Sequence, residues 1–190
     1  MLPKGISHQW PTPILYGSEN EKASVELATY ILSEYKDHNQ ISANVQGKNL
    51  FDDKKFDYFK YNVVIPAFNK FMQQEFGTRL KKPFKLRAWI TGSGTNYAMP
   101  KHGHDGTHLS AVFYLLCDEH NSGQLTMIDP RFNASRGYKD EFKKWFEKVS
   151  ITPKTGDYII FPSFLYHGVE TFYGNIRLAM PVDLVFYDDE

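Results

Sequence analysis

Three of the chain's seven histidines fall in "KHGHDGTH", Lys101 to His108, immediately before an apolar run. His102 and His104 stand at positions i and i+2, which share one face of an extended chain, so both imidazoles can reach one metal ion. A third ligand can arrive from a distant strand, and His167 follows the apolar stretch "YIIFPSFLY". Imidazole suits iron, zinc, copper and nickel, so spacing leaves the metal open. The competing reading is a polar, glycine-rich turn whose histidines face water. His108 pairs with His104 at a helical metal spacing, but Gly103, Gly106 and the β-type run that follows disfavour a helix. Arg177, ten positions after His167, heads the last apolar strand. A buried guanidinium needs an anionic partner, supplied by one of the chain's own carboxylates or by a ligand.

The elements that must position these residues are visible in the periodicity. Ser18 and Glu21 form a capping-box pattern, and Val25, Ala28, Ile31, Leu32 and Tyr35 follow at helical spacing, predicting a helix that ends near Lys36. A second helical stretch runs from about Asp53 to Phe76, with Pro66 inside it and a kink or break expected there. From Lys81 onward short β-type runs take over: "FKLRAWITG", "HLSAVFYLL", "GQLTMID", "VSITP", "DYIIFPS", "YHGVETF" and "IRLAMPVDLVFY". "KDEFKKWFEKV" interrupts them as a short helix or loop insert, and "CDEHNSG" has the chemistry of a hairpin turn, with Gly123 free to take positive φ. Helices followed by many short strands predict a mainly β, α+β fold: an antiparallel sandwich or barrel with the early helices packed on one sheet.

Composition narrows the function. With 190 residues and 42% hydrophobic content the chain supports one good core, and it is expected to form a single domain over 1–190. Lys plus Arg and Asp plus Glu number 22 each, so no basic field draws the protein to nucleic acid or to acidic membranes. One cysteine, Cys117, excludes an intrachain disulfide and a cysteine-rich zinc site. No segment has the roughly 18 consecutive apolar residues of a membrane span, and the N-terminus lacks a signal-peptide pattern. A cytoplasmic protein is expected.

Taken together, these residues resemble the Fe(II)- and 2-oxoglutarate-dependent oxygenases. "GSGTNYAMPKHGH" is similar to the strand and loop entering the metal motif of prolyl-hydroxylase-like members. "HLSAVFYLL" and "SGQLTMIDPR" look like the next two strands, "PKTGDYIIFPSFLYHGV" like the segment delivering the distal histidine, and "RLAMPVDLVF" like the arginine strand. With "PTPILYG", "LSAVFYL", "DPR" and "FPSFLYHGV", the chain looks like a group of oxygenases of tailed phages and marine bacteria, which would place it in a host cytoplasm if phage-encoded.

The resemblance implies a double-stranded β-helix (jelly roll) over 81–190, supported by helices within 1–80. It implies Fe(II), 2-oxoglutarate as cosubstrate and O2, with His102, His104 and His167 as metal ligands. His104 stands where the family usually has a carboxylate, and Asp105 would need a bulge or turn to serve instead. Arg177 matches the arginine that pairs with the distal carboxylate of 2-oxoglutarate. Tyr114 matches a tyrosine that often bonds the same group, and Tyr97 is a further candidate for the pocket. Ala179 replaces a hydroxyl residue common in relatives, and Trp89 is expected in the core. The segment from Phe132 to Lys148 is expected to border the pocket mouth. The implied reaction hydroxylates a protein, peptide or amino-acid side chain, forming succinate and CO2. Two other readings remain: a non-catalytic jelly-roll binding protein, and a cupin-like three-histidine metalloenzyme that does not use 2-oxoglutarate.

Overall fold

The structure is a computed structural model and describes residues 11–18, 21–34, 48–94, 96–118, 123–131, 136–146 and 148–187. In chain order its strands are β1 (Leu15–Gly17), β2 (Phe84–Ala88), β3 (Thr91–Ser93), β4 (Tyr97–His102), β5 (Leu109–Leu116), β6 (Leu125–Met127), β7 (Val149–Ile151), β8 (Tyr158–Pro162), β9 (His167–Phe172) and β10 (Arg177–Phe186). The longer helices are α1 (Glu21–Glu34) and α2 (Ile65–Phe76). All strand pairs are antiparallel. One sheet has the order β1-β8-β5-β10-β2, with β3 also on β10; the other has the order β4-β9-β6-β7.

Alternation on the central strands assigns side chains to two cores. Leu109, Ala111, Phe113 and Leu115 on β5, with Leu178, Met180, Val182 and Leu184 on β10, pack beneath the helices against Ile31, Val64, Phe68 and Phe71. The opposite faces of the same strands carry Val112, Tyr114 and Ala179, which join Leu125, Met127 and Val169 of the second sheet. This is the two-sheet jelly roll expected, with the early helices covering one face. Every residue of β5 except the last, and the first eight residues of β10, are buried, as strands covered on both sides must be.

Local detail departs from expectation in two places. Helix α1 is described from Glu21 to Glu34; its expected first residues after Ser18 and its expected end near Lys36 lie outside the described residues. Pro66 does not break the second helical stretch: the turn before it, Lys60–Val64, widens to π geometry, and the Ile65 N–H bonds the Lys60 carbonyl. Proline has no N–H to continue an α ladder, and the wider turn absorbs that loss at the first turn of α2. "CDEHNSG" does not close a hairpin. β5 pairs with β8 and β10, whereas β6 pairs with β7 and β9, so the connection crosses from one sheet to the other, with Gly123 at φ +64. Among the described residues no helix is long and apolar enough to cross a membrane.

Asn49 clips the helical segment onto the free edge of β2. Its Oδ1 accepts from the N–H of Ala88 (2.9 Å) and of Phe51 (3.3 Å), and its amide donates to the Leu86 carbonyl (3.1 Å). An edge strand otherwise leaves these groups unpaired. Asn49→Ala is expected to cost about 1–3 kcal/mol, read as a lower urea midpoint with unchanged slope.

Candidate metal and cosubstrate site

Each histidine is delivered by a different piece of backbone. His102 ends β4 and His167 begins β9, and the two are directly paired across the strands. His104 lies beyond the end of β4 rather than on it. Its N–H donates to the Ser163 carbonyl (3.1 Å) just past β8, so this residue ties the second sheet's loop to the first sheet. The three rings converge, with centroids 4.5 Å apart for His102 and His167, 5.0 Å for His104 and His167, and 5.2 Å for His102 and His104. One ligand nitrogen from each lies within 4.8 Å of the others.

The tautomers are set by what stands behind the rings. His102 Nδ1 is 2.9 Å from the Pro100 carbonyl, His167 Nδ1 2.9 Å from the Leu165 carbonyl, and His104 Nδ1 2.7 Å from Asp183 Oδ1. A carbonyl can only accept, so Nδ1 carries the proton and Nε2 keeps its lone pair; a carboxylate behind His104 selects the same tautomer. Burial pushes the His167 imidazole down to about 4, which keeps it neutral. Three pre-oriented imidazole nitrogens are a donor set that fits Fe(II).

Around them is a cavity of about 110 Å3. Met99, Leu125, Phe161 and Val169 give it apolar walls, and Arg177 is its cation. Arg177 is 2% exposed, its Nε has no hydrogen-bond partner, and no carboxylate of the described residues lies within ion-pair distance. The buried Asp157 is engaged elsewhere, by the Tyr16 hydroxyl and the Lys154 N–H (2.8 Å). The guanidinium stands 5.2 Å from the centre of the Tyr114 ring, whose hydroxyl is also buried and unpartnered. Burial raises the Tyr114 and Tyr97 phenols and pushes the Cys117 thiol up to about 12, with the charge of Arg177 acting against burial in all three. Each therefore stays protonated near neutral pH.

Other residues fall out of the site. His108 is exposed, and its Nδ1 accepts from the Phe186 N–H (3.2 Å). Asp105 is exposed in the turn after His104 and outside the ligand cluster. No residue of 136–146 lines the cavity, and Tyr138, Phe142, Trp145 and Phe146 of that stretch pack on one another; residues 132–135 and 147 of the segment expected at the pocket mouth lie outside the described residues. Trp89 is not core packing: it lines the cavity with its ring 5.6 Å from His104. Sequence reasoning missed Asp183, Ser110 and Thr91. Thr91 lines the cavity from β3 and pairs across the strands with Ala179, so a hydroxyl is present beside the alanine, from the neighbouring strand.

Residues 87–183 match the family model described as "Putative 2OG-Fe(II) oxygenase". The chain belongs to this family. As a 2OG-Fe(II) oxygenase it works with Fe(II), 2-oxoglutarate and O2. No curated protein matches the chain by sequence. Among solved structures, a Pseudomonas putida prolyl-4-hydroxylase is 16% identical, with a TM-score of 0.59 over 93% of this chain and 88% of that one. A prolyl hydroxylase from Trichoplax adhaerens, in complex with a hypoxia inducible factor oxygen degradation domain peptide fragment, is 15% identical, with a TM-score of 0.60 over 91% and 83%. An oxidoreductase of the 2OG-Fe(II) oxygenase family from Burkholderia pseudomallei is 15% identical, with a TM-score of 0.50 over 71% of this chain, which spans 58% of that protein's length. At these identities the likeness is one of fold.

Because His167 is the buried member of the cluster and pairs directly with His102, His167→Ala is expected to abolish Fe(II) binding in anaerobic titration calorimetry. Unchanged affinity would place the ion elsewhere.

Proposed function

We propose that this oxygenase hydroxylates an amino-acid side chain in a protein or peptide, converting 2-oxoglutarate to succinate and CO2. His102, His104 and His167 hold the iron through Nε2, and Arg177 receives the distal carboxylate of 2-oxoglutarate. The observation that carries this reading is the buried, unpaired Arg177 in the same cavity as the three histidines. A cation left without a protein anion in an apolar pocket is costly, and a ligand carboxylate removes that cost with bidentate hydrogen bonds. Tyr114, against the guanidinium, and Thr91, in the cavity lining, are assigned to assist, with Tyr97 as a further candidate.

Iron, when bound, supplies the activation of O2. The balance is one substrate C–H, one 2-oxoglutarate and one O2 converted to C–OH, succinate and CO2. The chain's own contribution is orientation and exclusion of water. Arg177 fixes one end of the cosubstrate, while Met99, Phe161 and Val169 keep the space beside the histidines apolar. A peptide substrate is supported by the likeness to prolyl hydroxylases and by two exposed aromatics on the turn leading to His167. Phe164 is 64% and Tyr166 53% exposed, and the Tyr166 ring packs over Gly103, between two of the histidines. Aromatic side chains at a site's rim suit the apolar and amide surface of an extended peptide.

The test is formation of succinate from 2-oxoglutarate by the iron-loaded protein, first uncoupled and then with a peptide library. Arg177→Ala is expected to weaken 2-oxoglutarate binding at least ~10-fold while leaving Fe(II) affinity near wild type. Equal losses of both would make Arg177 a structural residue, and tight iron binding without 2-oxoglutarate turnover would favour the three-histidine metalloenzyme instead.

A further inference from the structure

Two of the three rings lean on backbone carbonyls, and the third does not. His104 Nδ1 meets the Asp183 carboxylate at 2.7 Å, in a pocket where the Asp183 side chain is 9% exposed and the His104 side chain 11%. Ser110 Oγ donates to the same Asp183 oxygen (2.7 Å), sits 3.1 Å from His104 Nδ1, and lies 2.9 Å from Ser163 Oγ. Ser110 and Ser163 are each 1% exposed. Arg87 stands across the strand pair from Asp183 but is exposed and forms no ion pair with it. The carboxylate is therefore spent on the histidine and not on a structural cation.

We infer that Asp183 is a positioning residue for the metal centre, acting through His104. This rests on the three-histidine reading above. Three neutral imidazoles bring no negative charge to a dication. A carboxylate hydrogen-bonded to the far nitrogen of one ring returns part of that charge, raises the ring's basicity and locks the Nε2 lone pair towards the ion. The buried serine pair holds the carboxylate in place, because a hydroxyl that binds the same oxygen removes its freedom to turn away. His104 is also the ligand that β4 does not hold, lying past the strand's end. In place of a strand, His104 is held by its backbone bond to the Ser163 carbonyl and, at its ring, by Asp183 of β10.

The test uses the full chain, with Co(II) as an air-stable probe and Fe(II) under anaerobic conditions. Asp183→Asn is expected to weaken Co(II) binding by about 10–100-fold and to change its visible absorption. Ser110→Ala, which removes a hydroxyl that holds Asp183 but leaves the carboxylate against His104, is expected to weaken Co(II) binding less than Asp183→Asn does. Comparable melting of the two metal-free variants would show that the difference is not unfolding. A wild-type measurement needs no variant: nitrogen NMR of the metal-free protein should find His104 protonated at Nδ1, and protonation at Nε2 would overturn the inference. If His167→Ala keeps full metal affinity, the three-histidine reading fails and this one with it. If His167→Ala abolishes binding while Asp183→Asn binds like wild type, Asp183 alone is misassigned.

Discussion

Burial of β5 and β10 on both faces is the constraint from which the rest follows. A strand's side chains alternate with a period of two, so residues of one parity go to the helices and those of the other go between the sheets. On β10 this sends Leu178, Met180, Val182 and Leu184 under α1 and α2, and leaves Ala179 among the side chains between the sheets. Arg177, Pro181 and Asp183 share its parity, and from there Arg177 and Pro181 reach the cavity and Asp183 reaches His104. A slip of one residue would put the guanidinium and the carboxylate into the helix core and apolar side chains beside the histidines. The helices thus do more than cover a sheet. By burying the outer face they remove any freedom of register, and the composition of the site follows from that.

The interior polar groups divide into two kinds. On the metal side every histidine has an acceptor behind it, from Pro100, Leu165 or Asp183, and the two buried serines complete the network. These groups are satisfied by the protein itself. In contrast, the Arg177 Nε and the Tyr114 hydroxyl are buried without partners. Leaving such groups unpaired costs about 1–3 kcal/mol each, more for a charged one, and a ligand carboxylate recovers it. The three histidines and Arg177 line one cavity with apolar walls.

The chemistry-bearing types were legible because each announces itself locally. The H-x-H pair, a histidine closing an apolar run and an arginine opening the next are short-range patterns, and they mark residues that do converge around one cavity. The β-type runs were legible for the same reason. Others were not. Asp183 lies 79 residues from His104 and Ser110 lies 73 from Asp183, so no spacing connects them. "CDEHNSG" reads as a hairpin because turn chemistry reports on the turn and not on which sheet receives the next strand. Trp89 looked like core because a large aromatic near a strand usually is, and only the gap between β2 and β3 puts it on the cavity.

The sequence by itself determined which side chains exist and which of them share a face, since helical and strand periodicities are properties of the backbone. The tertiary structure decided which faces meet. Pairing of β10 with β5 and β3, and of β4 with β9, brings Asp183 to His104, Thr91 beside Ala179 and His102 against His167. Those meetings depend on strand register and on the packing of two sheets across an apolar interior, and neither leaves a local signal in the chain.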